Sequence, residues 1–578
     1  MVMRPNILRL WQRSTWTAII LLLITLLIVS SLPAQAPSSA ELPPPTIRVS
    51  THMVVVDVVV TDKQGKAVQG LHAEDFIVEE NGKQQKIASL TTPTENNAAP
   101  PALPPGIYSN RAQYRSPGGP VTVLLLDAVN TAFKDQAYAR FQMLKFVKEN
   151  FKPGDRMGVF TLTGGLNVLQ DLTDDPQILY TALQHYKPLQ QQYAPSNGAP
   201  PTGSAGAIDS GSAPVSDAAT SGALAAGATR LVDIAEGALA SFQNVNSGYD
   251  DDRRTVLTLD ALNSLSRILG GIPGRKNIIW VTGDMPLSLI PEDRQPSKEE
   301  QLEELPSMST RRVGQHSTAS VEATTRTLHA EEIRELAARL SSTQIAIYPV
   351  DARGLTASDD TDSQEEMRSI ARETGGRAYV NQNEIKAGVQ RAFDDQTAAY
   401  TIAYYPENKK YDGKYRSIKV KVKRDGVEVQ NRRGYFAIDP TQVKGYNPQD
   451  EVLRATTDVT ASTMVGFTAQ VVPASANKGK VGVTFLVDAT TLAAEDSGGG
   501  KHINVSFYAT AFTNGKMGPS VSQKVDRSFD DKTYQQILRH GLLLHMDMDP
   551  PPPNSRLHLA VQDSRTGLVG TINAPIAQ

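Results

Sequence analysis

The hydrophobic pattern divides the chain into three regimes. Val121-Thr-Val-Leu-Leu-Leu126 is an almost unbroken apolar, β-branched run, the pattern of a strand covered on both faces at the centre of a parallel sheet. It ends at Asp127, and 135–149 then takes a helical period with Tyr138, Phe141, Leu144, Phe146 and Val147 as a broad apolar face. Strand and helix patterns keep alternating: strands at 156–162, 277–281, 344–350 and 377–380, and helices at 176–184, 258–269, 328–340, 365–373 and 384–396. Such alternation predicts an α/β fold, a doubly wound, mostly parallel sheet. Before it, Met53–Val60 and Phe76–Glu80 read as strands, the second entering an Asn81-Gly82 turn. This predicts a small N-terminal β module over 46–95. After it, the period falls to two at 399–405, 418–423 and 427–430, a β extension over 399–437 of an α/β domain spanning 118–440. Lys419, Lys421 and Lys423 alternate with Ile418, Val420 and Val422, as on an edge strand guarded by lysines. Strand patterns recur from 467 to 562, predicting a C-terminal β-sandwich over 450–578.

Two stretches break these patterns, a Gly/Ala/Ser/Pro-rich insert at 190–229 and a polar insert at 291–325. The first 36 residues differ again. Arg4, Arg9 and Arg13 precede the apolar run Ile19–Val29, and Ala34-Gln35-Ala36 is a small-x-small cleavage site. This reads as an export signal, since the run is short of the ~20 residues that span a bilayer comfortably; the competing reading is an uncleaved signal anchor. The expected location is therefore the periplasm, the cell envelope or the exterior, with no membrane span once the signal is cleaved. The sequence has 578 residues, enough for several cores, and no cysteine, which excludes disulfides, thiolate zinc sites and thiol nucleophiles. A net charge of −3 offers no footprint for nucleic acid.

The chemistry of interest lies where the central strand ends. In open α/β sheets ligands bind beyond the carboxyl ends of strands. Asp127, with Asn130 and Thr131 close by, supplies the oxygen donors that a hard cation such as Mg²⁺ or Mn²⁺ takes. The plainer reading is that Asp127 caps the following turn and helix through its side-chain oxygens. His545, Asp547 and Asp549 share one face of a strand, but Leu542, Leu544, Met546 and Met548 opposite them mark an ordinary half-buried strand. Asp351 and Arg353 are expected to pair or to fix their loop. No G-x-S-x-G, H-E-x-x-H or G-x-x-x-x-G-K-[ST] motif occurs, so an enzyme is not expected.

Several short phrases carry a resemblance. They are Val54–Asp62 with Gly65, Leu71-His-Ala-Glu-Asp-Phe76, Leu124–Thr131, Pro153-Gly-Asp-Arg156, Gly274–Trp280, Ile347–Leu355, Glu373–Arg377 and Arg433-Gly-Tyr-Phe436. Together they span about 46–440, and there the chain resembles the von Willebrand factor A-related proteins numerous in acidobacteria. The resemblance implies a von Willebrand factor type A fold and a non-catalytic adhesion or scaffolding role toward a protein or a cell-surface polymer. It also implies a metal-ion-dependent adhesion site, Asp-x-Ser-x-Ser on a first loop, a Thr on a second and an Asp after a buried strand. Asp127 matches the first Asp and Thr131 the second Ser, while Val129 stands at the first Ser and cannot coordinate. Asn130 serves only if the loop shifts by one residue. Thr258 is the second-loop Thr, and Asp284 falls one place late because Gly283 holds the Asp position. The expected metal set is thus Asp127, Asn130, Thr131, Thr258 and Asp284, a degenerate one. Two rival readings remain: a structural envelope component with no ion, and a metal-assisted hydrolase using Asp127 and Asp284.

Overall fold

Strand Val121–Asp127 is buried over all seven residues because it has a parallel neighbour on each side and a packed core on each face. In the computed structural model the residues described are 53–92, 102–115, 121–151, 155–189, 250–286, 329–354, 361–381, 385–439, 447–497 and 500–576. The export signal expected at 1–36 and the inserts expected at 190–229 and 291–325 lie outside them. The sheet runs in the order Ile345–Asp351, Lys276–Thr282, Val121–Asp127, Met157–Leu162, Leu166–Thr173. The first four are parallel and the last is an antiparallel edge. Alternation along the central strand separates two cores. Val121, Val123 and Leu125 pack with Leu259, Leu262, Leu265 and Leu269 of helix 250–269, and with Leu336 and Met367. Leu124 and Leu126 pack on the other face with Met143, Phe146, Leu183, Val389 and Phe393. Helices cover both faces, so the sheet is doubly wound.

The winding changes direction between strands 121–127 and 276–282, which puts the topological switch point at Asp127 and Thr282. The helix after Asp127, Phe133–Glu149, buries Gln136, Ala139, Met143, Phe146 and Val147 rather than the face expected from Tyr138 and Phe141. Its stripe is rotated, leaving Phe133 at 48% and Phe141 at 62% exposure. The strand expected at 377–380 reduces to one bridge, Val350 to Tyr379. Gly376 lets the backbone pass there, for a Cβ on it would lie 1.9 Å from the Ile347 carbonyl oxygen.

The division into a separate N-terminal β module and a β extension requires correction. Strand Val54–Asp62 lies between Ala399–Tyr404 and Val427–Asn431, and Phe76–Glu80 pairs with Tyr415–Val422. The two stretches form one double-layered unit with a shared core of Val54, Val56, Val58, Val60, Phe76, Val78, Tyr400, Ile402, Ile418 and Val420. The α/β domain is inserted within it. The physical reason is that the run 54–60 is buried on both faces. One face fills this core, while Asp57 on the other accepts hydrogen bonds from Gln344 Nε2 at 2.9 Å and Thr401 Oγ1 at 2.7 Å. Lys421, expected to guard a free edge, meets Glu79 of the adjoining strand at 2.6 Å.

The C-terminal part packs two antiparallel sheets over Phe467, Phe485, Phe507, Val561 and their neighbours. Helices Pro448–Thr457 and Asp531–His540 interrupt the all-β pattern expected there, and strand Ile107–Ser109, which lies between the expected N-terminal module and the α/β domain, joins its sheet. This part is docked on the α/β domain. Arg267 bonds Asp458 through Nε at 2.7 Å, and Gly271 N–H donates to Thr463 Oγ1 at 2.8 Å. Among the described residues, no helix is long and apolar enough to cross a membrane.

Candidate functional site

All five residues singled out in the sequence meet at the switch point. Asp127 ends its strand on the same side as Val123 and Leu125, facing helix 250–269. Its Oδ1 accepts the backbone N–H of Val129 at 3.0 Å and of Asn130 at 2.9 Å. Oδ2 accepts Asn130 Nδ2 at 2.8 Å, Trp280 Nε1 at 3.0 Å and Thr282 Oγ1 at 3.1 Å. Asp127 therefore caps the turn, while helix 133–149 starts from Ala132 with no side-chain cap. Asn130 Nδ2 also reaches Thr258 Oγ1 at 3.3 Å, and Thr131 Oγ1 accepts the Gly283 N–H at 2.9 Å. Thr282 Oγ1 also lies 2.7 Å from the Asp284 carbonyl oxygen, which competes with Asp127 for its one proton.

Three participants escape the sequence reading: Trp280, Thr282 and Arg254. Trp280 and Thr282 stand two apart on a strand, so both turn toward Asp127. Arg254 precedes Thr258 by four residues, hence by one turn on the same helix face. Its side chain is only 1% exposed. Nε donates to Asn130 Oδ1 at 2.8 Å, Nη1 to Asp251 Oδ1 at 3.1 Å, and Nη2 to Asp284 Oδ2. Sequence alone places Arg254 in the charged run Asp250–Arg254, which reads as solvated surface.

These contacts set the electrostatics. Burial pushes the Asp127 carboxyl above its ordinary value, and the hydrogen bonds from Asn130, Trp280 and Thr282 only partly restrain the rise. Burial would also raise Asp284, but the Arg254 charge and hydrogen bond outweigh it and hold that carboxyl below the usual range. Burial alone would weaken the Arg254 cation, yet Asp284, Asp251 and Asp127 together raise its pKa. The neighbouring strand end repeats the arrangement: Asp351 Oδ1 accepts Arg353 Nε at 2.9 Å and Oδ2 accepts Nη2 at 3.0 Å.

The residues present do not fit a divalent ion in this arrangement. Mg²⁺ needs near-octahedral oxygen donors at about 2.1 Å. Here Asp127 Oδ2 faces three donor groups, and Asn130 Oδ1 and Asp284 Oδ2 both face a guanidinium. Among the described residues no group of three or more His, Cys, Asp or Glu could hold a metal. On strand Leu542–Met548 of the C-terminal sandwich, His545 and Asp547 are taken up with Thr484 and Asn477. A cleft at the opposite end of the parallel strands is lined by Asp57, Arg275, Gln344, Arg432 and Tyr435. Its arginines are engaged in packing, Arg275 on Gly375 O and Tyr348, Arg432 on Val55 O.

No protein-family model matches the chain, and no curated protein matches it by sequence. Similar solved structures include an aerotolerance-related membrane protein from Bacteroides fragilis at 13% identity, covering 48% of this chain and 98% of that one, with a TM-score of 0.22. The von Willebrand factor domain of the type V pili tip protein Mfa5 from Porphyromonas gingivalis is 11% identical over 48% of this chain and 93% of its own, at 0.23. A von Willebrand factor type A protein from Catenulispora acidiphila is 9% identical over 71% and 82%, also at 0.23. These likenesses are partial, and the doubly wound α/β description of the domain rests on its own strand order and helix layers.

Proposed function

We propose that this is an exported, non-catalytic binding protein that docks a protein partner at the rim of its type A-like domain, with the two β units as supports. The acidobacterial kinship is part of the same proposal and rests on the phrases quoted above. The observation that carries the reading is an exposed apolar stripe with two phenylalanines beside the switch point. Phe133, Ala137 and Phe141 follow one another up the exposed face of helix 133–149, which begins two residues after Thr131. Exposed aromatic residues grouped this way mark interaction surfaces, where a few such side chains carry most of the affinity. A hydrolase built on Asp127 and Asp284 is the poorer reading. Asp127 accepts five hydrogen bonds and Asp284 is paired with Arg254, which leaves neither carboxylate placed to activate water.

The test is capture from bacterial envelope extract on the immobilised chain, with and without EDTA, against the Phe133→Ser/Phe141→Ser double variant. A discrete protein held in the presence of EDTA and reduced at least ~10-fold by the double variant is the expected result. Capture that ignores the double variant contradicts the proposal, as does recovery of polysaccharide alone.

A further inference from the structure

We infer that Arg254 takes the place of the divalent ion at this rim: its guanidinium is a resident cation, and the site is closed to Mg²⁺ and Mn²⁺ while it is there. The guanidinium bonds two of the five residues that would form a metal set, Asn130 and Asp284, and adds Asp251 from its own helix. It is planar, always charged and needs no coordination sphere, so three separate oxygens can be satisfied from one buried group. The remaining oxygen an ion would need, Asp127 Oδ2, has N–H groups of Trp280 and Asn130 directed at it from 3.0 and 2.8 Å. The sequence departures agree with this exchange. Val129 gives up a ligand, and Asp284, one place later than the type A pattern has it, accepts from the arginine. The inference concerns the cation alone and holds whether or not the rim binds a partner, since its test reads metal and not capture.

The full chain, freed of metal, is titrated with MnCl₂, following the free Mn²⁺ electron paramagnetic resonance signal and the thermal midpoint. Wild type is expected to leave the Mn²⁺ signal undiminished to about 1 mM, with no shift in midpoint. Arg254→Ala frees the three oxygens that the guanidinium holds, Asn130 Oδ1, Asp251 Oδ1 and Asp284 Oδ2. It is expected to take up one Mn²⁺ at least ~10-fold more tightly than the wild-type limit, with a midpoint raised by about 4 °C or more. If Arg254→Ala does not fold, Arg254→Gln, which removes the charge but keeps part of the side-chain volume, takes its place with the same expectation. One Mn²⁺ bound by wild type below about 1 mM and lost in Asp127→Asn overturns the inference. A folded arginine variant that gains no Mn²⁺ overturns it as well.

Discussion

Asp127→Ala is expected to cost about 3–5 kcal/mol of folding stability, summed over groups stranded at about 1–3 kcal/mol each. The substitution removes the acceptor for five donors in a site only 2% exposed. Asn130 Nδ2 keeps Thr258, and Thr282 keeps the Asp284 carbonyl. The N–H groups of Val129 and Asn130 and the Trp280 indole lose the carboxylate they donate to. Asp127→Asn keeps one acceptor oxygen but turns an amide donor toward other donors, so a loss of about half that size is expected. The readout is built in. Trp11 and Trp16 lie in the first 36 residues, so in a chain beginning after Ala36 the fully buried Trp280 is the sole tryptophan and its fluorescence follows the rim through urea unfolding. A loss below about 1 kcal/mol would mean that this network does not hold the switch point together.

Gly271→Ala should loosen the C-terminal sandwich from the α/β domain. A Cβ on Gly271 would fall 1.7 Å from the Thr463 carbonyl oxygen, so the backbone itself must move. That movement strains the bonds from Gly271 N–H to Thr463 Oγ1, Thr463 N–H to Arg267 O and Thr463 Oγ1 to Ile268 O. Overpacking of about 1–3 kcal/mol together with lost hydrogen bonds of about 1 kcal/mol each gives an expected loss of about 3 kcal/mol or more. Limited proteolysis around 458–466 should become several-fold faster. Unchanged cleavage with unchanged stability would show that the two parts do not meet closely at this glycine.

Much of the α/β domain is legible in the sequence because its strands are buried on both faces. A run such as 121–126 has few other homes, and the position of Asp127 at its end follows from the run's length. What periodicity does not carry is partnership. Nothing in 54–62 names 399–404 or 427–431 as its neighbours more than 300 residues later. The apolar run Val54–Val60, interrupted only at Asp57, was the one signal of it, since a small isolated module would leave one face polar. Helix phase fails for a similar reason. Helix 133–149 carries two apolar stripes, Phe133–Ala137–Phe141 and Ala139–Met143–Phe146, and only packing against Leu183 and Phe393 decides which is covered.

The rim was half legible. Asp127, Asn130, Thr131, Thr258 and Asp284 are oxygen-bearing residues at strand ends or on a facing helix, and the fold gathers them. Arg254 was hidden because an arginine in an Asp-rich run is ordinarily solvated, and its burial follows from tertiary packing alone. The spacing of four from Thr258 was the one sequence signal that could have found it.

The most direct measurement is a crystal of the chain soaked in Mn²⁺ and recorded at the manganese edge. A closed rim predicts no anomalous peak within about 3 Å of the Asp127 carboxylate, with the Arg254 guanidinium between Asn130 and Asp284. A peak ligated by Asp127 and Thr131, with Arg254 swung out of its place, would contradict it.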